Sequence, residues 1–216
     1  KAMFWMQLDF EKNFDLENSY AFSFCLLKIS NEQFLFYNKY HHLIVDGWAI
    51  SLTLNQLMDT YNNFYNQQEQ TNTFSSYKNF IEEDEKYLKS KRFIASQEYW
   101  KNKLQKKPDS IFSTHTFQNA DKFELNSDRK SVKFSQKRYQ SLVKLSEELN
   151  VSLFHVFLGL FFTLVHKITH LENLVIGIPV LNRNSRQFKE TIGLFIETTP
   201  LCVSIQQNMT FADLLS

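Results

Sequence analysis

The chain has 216 residues, of which 43% are hydrophobic and 16% aromatic, whereas Gly and Pro number only 4 and 3. This composition supports a sizeable core in one large or two small domains, and it excludes a collagen-like chain, a linker and a disordered tail. The formal net charge is +1 and no basic block stands out, so nucleic acid is not expected as a partner.

The first half of the sequence predicts a hairpin followed by helices. The start is strand-like, and residues 20–29 and 34–43 are rich in strand formers, with a turn between them. A helix is predicted from Gly47 to about residue 65, followed by a polar loop over residues 62–73. A long charged helical stretch then runs from residue 75 to about residue 104 and ends before Pro108.

Residues 109–129 are irregular and are the best candidate for a domain boundary, so we predict one domain over residues 1–108 and another over residues 109–216. Beyond the irregular stretch, the pattern predicts a strand at 130–134, helices at 135–149 and 152–168, strands at 174–180 and 199–205, and a helix start at Thr210. The alternation of strands and helices indicates an α/β fold. The interrupted last helix indicates a piece of something longer.

The cysteines and the apolar runs indicate the cellular compartment in which the protein is expected. Cys25 and Cys202 lie far apart and form no CxxC pair, which fits a reducing cytosol. We therefore predict a cytoplasmic protein in which both are small, buried apolar side chains. The start lacks the pattern of a signal peptide, and the longest apolar run, residues 157–165, is too short to span a bilayer. That run predicts a buried helix and no membrane partner.

Two adjacent histidines in residues 40–48, within the order H-H-x-x-x-D-G, are the most informative feature. Strand alternation predicts that His41 and His42 point in opposite directions at the end of the second strand. An unperturbed imidazole titrates near pH ~6.5, so at neutral pH its free base is available for general-base catalysis. Asp46 is open to three roles: orienting a histidine, capping the following helix or pairing with an arginine. Gly47 is expected to give the turn backbone freedom and to leave space beside the histidine.

The other candidates carry weaker signals. His166 and His170 are spaced like metal ligands on a helix but have no accompanying Glu or Cys, so we interpret them as helix-surface or helix-end residues and predict no metal site. His155 is expected in the core, and His115 carries no signal. The acidic run 82–85 is interpreted as a solvated patch, because four consecutive acids cannot share one helix face. No nucleotide-binding loop or nucleophile elbow is present, so no directly bound cofactor is predicted.

The H-H-x-x-x-D-G-W run resembles the signature of condensation domains of nonribosomal peptide synthetases, which belong to the chloramphenicol acetyltransferase-like superfamily. Wax-ester synthases, other acyltransferases and epimerization domains share this motif, but further elements narrow the choice. They are Phe-Asp-Leu at 14–16, Tyr-Lys-Asn-Phe at 77–80, Tyr-Trp-Lys-Asn-Lys-Leu at 99–104, Gly-Ile-Pro-Val-Leu-Asn-Arg at 177–183 and Ile-Gly-Leu-Phe-Ile-Glu-Thr at 192–198. Their order and spacing resemble the family along nearly the whole chain.

The resemblance implies a two-lobed chloramphenicol acetyltransferase-like fold, incomplete at both ends. Residues 1–108 would form the C-terminal part of the first lobe, and residues 109–216 the N-terminal part of the second. The implied activity is amide-bond formation by an acyltransferase of secondary metabolism, such as antibiotic biosynthesis. Substrates would arrive on phosphopantetheine arms of donor and acceptor peptidyl carrier domains, one from each side of a tunnel between the lobes. An adenylation domain of the same synthetase is a further implied partner, and the fragment alone is expected to be inactive.

By position, the resemblance makes His42 the active-site histidine. It would act on the α-amino group of the acceptor aminoacyl thioester, either as a base or by positioning and electrostatics. Asp46 becomes a structural residue whose ion pair holds the loop, and we predict Arg183 as its partner because it is the only Arg inside a matched motif. His41 and Gly47 complete the motif.

Three positions depart from the family pattern: Asn79 replaces the usual Asp, Glu197 a frequent Asn and Cys202 a frequent Arg. Several alternatives stay open. An epimerization domain would add a downstream glutamate motif, which these residues do not contain. A cyclization domain would carry Asp in place of the histidine pair and is disfavoured. Another H-H-x-x-x-D-G acyltransferase and a non-catalytic condensation-like domain that docks carrier or tailoring proteins remain.

Overall fold

The computed structural model describes residues 1–69, 74–106, 108–111 and 130–216, which contain both helices and strands. In chain order the elements are α1 (Ala2–Phe10), β1 (Phe22–Lys28), β2 (Phe34–Tyr40), α2 (Gly47–Tyr65), α3 (Tyr77–Leu88), α4 (Lys91–Lys103), α5 (Gln136–Glu148), α6 (Leu153–Thr169), β3 (Asn173–Val180), α7 (Arg186–Lys189), β4 (Glu197–Ser204) and α8 (Phe211–Leu215). The mixture agrees with the predicted α/β class.

The chain divides into two compact units. The first comprises Lys1–Gln97 with Pro179–Thr198, and the second comprises Glu98–Ile178 with Thr199–Ser216. The late segment Pro179–Thr198 therefore belongs with the N-terminal residues, far from it in sequence. The predicted boundary at 108/109 concerns the lobes of a longer family fold and stays a prediction. Most of the irregular stretch, including His115, lies outside the described residues.

The first unit is built around an antiparallel hairpin of β1 and β2, with a register from Phe22↔Tyr40 to Lys28↔Phe34. The hairpin was predicted, but its second strand ends earlier than expected. Phe22, the first residue of β1, pairs with Tyr40. β2 therefore has no partner strand beyond Tyr40, and the chain turns over residues 42–44. The strand-like start is also wrong, because Ala2–Phe10 forms α1. A short apolar run suits either element, so its pattern alone does not distinguish them.

The two faces of the hairpin differ in burial. On one face Tyr37 is buried, packs edge-on against Trp5 with 5.6 Å between ring centroids, and donates its hydroxyl to Asp9 Oδ2 at 3.1 Å. The opposite face carries large apolar side chains that are substantially exposed: Phe22, Phe24, Leu26, Phe34 and Phe36. The hairpin is therefore fixed to α1 through one face.

Helix signals account for the elements that follow. Ser76 caps α3 by accepting from Lys78 N, and Ser90 accepts a hydrogen bond from the Phe93 backbone at the start of α4. This serine interrupts the long helix predicted over residues 75–104, because a serine side chain satisfies the free N–H groups of a new helix. On α2 only Ala49 is buried, and the other residues of this helix are partly or fully exposed.

The second unit has its own core, in which Phe162, Val165, Leu174 and Ile205 cluster. The predicted buried helix is α6, but it is buried on one face only, and side chains such as Ile168 are exposed. The strand predicted at 130–134 is wrong, since these residues have no regular structure. β3 and β4 form the second two-stranded sheet.

No single helix in the described ranges is long and apolar enough to cross a membrane. Only α5 and α6 together pass that test by length and composition, and they are bent by 98° at the break between them.

Candidate active site

His41 is held by several contacts directly after β2. Its backbone N–H donates to Ala21 O at 2.8 Å, and its carbonyl accepts from Ile44 N at 3.2 Å. The Leu43 N–H donates to His41 Nδ1 at 3.2 Å, and the ring lies edge-on to Phe14, with 6.0 Å between centroids. The ring of His41 is thus held through Nδ1 on one side and through Phe14 on another.

His42 differs from its neighbour in exposure. Its side chain is exposed, whereas His41 is half-buried, and within the described ranges its ring has no hydrogen bond. A cavity of about 400 Å³ borders both histidines, with Phe14 and Lys39 also in its wall. The two residues thus differ in exposure. Because β2 ends at Tyr40, strand alternation does not apply to them, and their opposite orientation stays a prediction.

Asp46 fills two of the three roles left open by the sequence. It is 1% exposed, and its Oδ1 accepts from Ala49 N at 2.8 Å as the N-cap of α2. Arg183 Nη2 lies 3.0 Å from Oδ1 and 3.2 Å from Oδ2, so the predicted ion pair is present. Oδ2 also accepts from Phe195 N at 3.0 Å. None of these bonds goes to a histidine, and the carboxylate serves as a cap and as an ion-pair partner.

Arg183 organises the backbone of residues 181–196, which we name the Arg183 loop. Its side chain is 2% exposed. Nη1 donates to the carbonyls of Phe188 and Thr191, each at 2.6 Å, and Nη2 donates to Gly193 O at 3.2 Å. The guanidinium carbon lies 4.0 Å from the centroid of the Phe195 ring, within cation–π range. One side chain therefore connects Asp46 to several points of the loop.

The surroundings of Asp46 keep it charged. Burial raises the pKa of this carboxyl, but the N–H groups of Ala49 and Phe195 and the charge of Arg183 outweigh that effect, and the net pKa lies below the ordinary 3.8. The ion pair is therefore fully formed at neutral pH.

Two further side chains hold the Arg183 loop. Trp48 Nε1 donates to Lys189 O at 2.9 Å, and the Tyr77 hydroxyl donates to Leu194 O. The Tyr77 ring packs so closely on Gly193 that a Cβ there would overlap it. Burial raises the pKa of Tyr77, which keeps its hydroxyl a neutral donor. Trp48, Tyr77 and Gly193 all lie in matched motifs, but the sequence did not indicate these contacts.

Within the described residues, Gly47, Asn79 and Glu197 make no hydrogen bond to the side chains of Asp46 and Arg183. Gly47 is the first residue of α2, its φ is not positive and a Cβ would have nothing within 4 Å, so the expected need for backbone freedom is wrong while the space is open. Asn79 and Glu197 are exposed. Cys25 and Cys202 are free thiols, and their burial is only partial where burial was expected.

The other histidines lie in the second unit. His155 is exposed in the first turn of α6 with Nδ1 2.9 Å from Ser152 Oγ, so its predicted place in the core is wrong. His166 Nδ1 lies 2.7 Å from Leu171 O, and His170 ends α6 with φ 57°. Across the described ranges, no group of three or more His, Cys, Asp or Glu is placed to hold a metal ion. The acidic run 82–85 is exposed, as predicted.

Comparison with known proteins shows the family of the chain. The profile of the family described as Condensation domain matches residues 1–216. A plipastatin synthase subunit from Bacillus subtilis (strain 168) is 26% identical over 208 residues, which cover 96% of this chain and 8% of that protein. A linear gramicidin synthase subunit from Brevibacillus parabrevis is 27% identical over 206 residues, which cover 94% of this chain and 4% of that protein.

Solved condensation domains share the fold. The first condensation domain of the calcium-dependent antibiotic synthetase, in complex with a substrate analogue, superposes with a TM-score of 0.81 at 19% identity, over 99% of this chain and 48% of that one. VibH, a condensation enzyme, gives a TM-score of 0.77 at 20% identity, over 99% and 50%. The chain belongs to the condensation-domain family. It spans about half the length of these solved chains and a small part of the synthetases.

Proposed function

We propose that this chain is part of a condensation domain of a nonribosomal peptide synthetase, an acyltransferase that forms an amide bond between two carrier-bound thioesters. The observation that carries the proposal is the contrast inside one motif. His42 is exposed beside a cavity of about 400 Å³, while Asp46, four residues later, is buried in an ion pair. The motif thus combines one exposed imidazole with a buried carboxylate that fixes the following residues in place.

The proposed reaction is acyl transfer from sulfur to nitrogen. The α-amino nitrogen of the acceptor bonds to the carbonyl carbon of the donor thioester, the carbon–sulfur bond breaks, and the amine proton ends on the departing thiol. His42 takes that proton as a general base or orients the amine by a hydrogen bond. The open position of a Cβ at Gly47 leaves space near the start of α2.

The partners belong to the same proposal. Both substrates are carried on phosphopantetheine arms, one on a donor and one on an acceptor peptidyl carrier domain. An adenylation domain of the same synthetase is a further partner, and the proposed location is the cytoplasm. The plipastatin and gramicidin relatives are synthetase subunits, and this chain matches only 8% and 4% of their lengths, which supports a multidomain setting. No direct cofactor is proposed for the residues described.

The test is peptide-bond formation between two loaded carrier domains in the full-length protein, compared with His42→Ala. We expect product formation to fall by at least about a hundredfold, the usual size of a lost general acid–base contribution. His155→Ala is the matched control, since this histidine is also exposed and lies in the other unit. Equal turnover in wild type and His42→Ala would refute a catalytic histidine and favour the docking alternative.

A further inference from the structure

Lys39 is a buried cation that the proposed chemistry does not use. It lies in β2, two residues before His41, and its side chain is 9% exposed. Its Nζ donates to Asp9 O at 2.6 Å and to Lys12 O at 2.7 Å, and it stands 3.9 Å from the Asp9 carboxylate. Two of the three donors of the ammonium are thus used by backbone carbonyls, and the Asp9 carboxylate lies at ion-pair distance.

These carbonyls explain why a cation is placed there. Asp9 lies in the last turn of α1, and Lys12 follows the end of the helix. Carbonyls at the end of a helix carry partial negative charge, so an ammonium beside them has the favourable sign, and Asp9 O accepts from Lys39 in addition to Lys12 N at 3.1 Å. Lys39 therefore fastens the end of α1 to β2 and fixes the path of the chain that leads to Phe14.

Phe14 lies between Lys39 and His41. Lys39 Nζ is 4.7 Å from the centroid of the Phe14 ring, within cation–π range, and the same ring meets His41 edge-on. His41 in turn accepts from Leu43 N through Nδ1 and from Ile44 N through its carbonyl. These two bonds enclose the turn that contains His42, so a displaced His41 also displaces the backbone of His42.

We propose that Lys39 is a positioning residue for His42, acting through Phe14 and His41. The inference rests on the proposed function of His42. Both recorded hydrogen bonds of the ammonium go to backbone carbonyls at and after the end of α1, which is the pattern of a residue that sets geometry.

The first test is Lys39→Met in the full-length protein, since Met keeps the length and apolar character of the stem. We expect kcat for peptide-bond formation to fall about tenfold with KM within about twofold, as for a small misplacement of a reacting group. Lys144→Met is the matched control, because Lys144 is 77% exposed on α5 and forms an exposed ion pair with Glu148 at 3.6 Å. We expect that variant to keep wild-type kcat.

A second variant separates positioning from general destabilisation. Phe14→Leu removes the ring between Lys39 and His41 and leaves the bonds of Lys39 to the carbonyls in place. If the effect of Lys39 passes through Phe14, the double variant Lys39→Met/Phe14→Leu loses no more kcat than the more impaired single variant. If the two losses of kcat multiply in the double variant, the proposed coupling through Phe14 is wrong.

The readout independent of activity is the ring resonance of His41 in histidine-labelled full-length protein, assigned with His41→Gln. Lys39→Met and Phe14→Leu are both expected to shift this resonance, because the Phe14 ring current moves or disappears. An unchanged resonance in Lys39→Met overturns the positioning role alone. Full activity of His42→Ala overturns the proposed function instead, and with it the catalytic purpose of this positioning.

Discussion

Replacing Arg183 by Met should release the histidine segment, and the cost follows from the bonds it makes. The guanidinium donates to both oxygens of Asp46 and to the carbonyls of Phe188, Thr191 and Gly193. Removing one member of a buried ion pair typically costs about 3–5 kcal/mol, because the other charge stays buried. We expect a loss of that size in the local stability of the Arg183 loop.

Hydrogen exchange measured by mass spectrometry on the full-length protein reports this change locally. The informative amides are Ala49 N and Phe195 N, which both donate to Asp46. Since about 1.4 kcal/mol corresponds to a tenfold change, we expect Arg183→Met to accelerate their exchange by roughly a hundredfold or more. Peptide-bond formation should fall in parallel, because the His42 turn directly precedes Asp46.

The matched control for this prediction is Arg186→Met. Arg186 lies in the same loop, but its side chain is 93% exposed and pairs with Glu190 at 3.5 Å. Exposed pairs contribute roughly 0–1 kcal/mol, so exchange should stay close to wild type. If Arg183→Met also leaves both amides protected, the ion pair does not hold the histidine segment and the structural role of Arg183 is refuted.

Three other perturbations test the same region. Neighbours lower the pKa of Asp46, so the unfolded chain binds its proton more tightly. The stability this provides is present above about pH 4 and is lost as the pH falls through the lowered value. The unfolding midpoint measured as a function of pH should fall in this range, and Asp46→Asn should weaken that dependence on pH. Gly193→Ala should cost about 1–3 kcal/mol by overlap with Tyr77 in denaturant unfolding, and Tyr77→Ala should restore part of it; additive losses would contradict the contact. Trp48→Phe removes the bond to Lys189 O and should cost about 1 kcal/mol, whereas unchanged exchange near Lys189 would exclude that bond.

Local chemistry in the sequence predicted the helix starts well. Ser135, Ser152 and Thr210 each accept a hydrogen bond from the first turn of the helix they precede. These signals act within four residues, so a single sequence contains them. The break at Ser90 has the same origin, but a continuous charged pattern obscured it.

Long-range packing was predicted only where a motif indicated a partner. The pair of Asp46 and Arg183 was foreseen from the family resemblance and the presence of one Arg inside a matched motif. The close approach of Tyr77 to Gly193 was not, because nothing local to either residue records a partner more than a hundred positions away. The end of β2 was missed for a related reason, since the first residue of β1 determines it.

The order in which Asp46 meets its partners has a consequence for biosynthesis. Asp46 is separated by 137 positions from Arg183 and by 149 from the Phe195 N–H. At a ribosomal rate of ~5–20 residues per second, the nascent chain waits roughly 7–30 s between the emergence of the carboxylate and that of its last donor. During this interval the histidine segment has been synthesised but its support is missing. Stalling before residue 183 would therefore leave the complete histidine motif on an unsupported turn, accessible to proteases and chaperones.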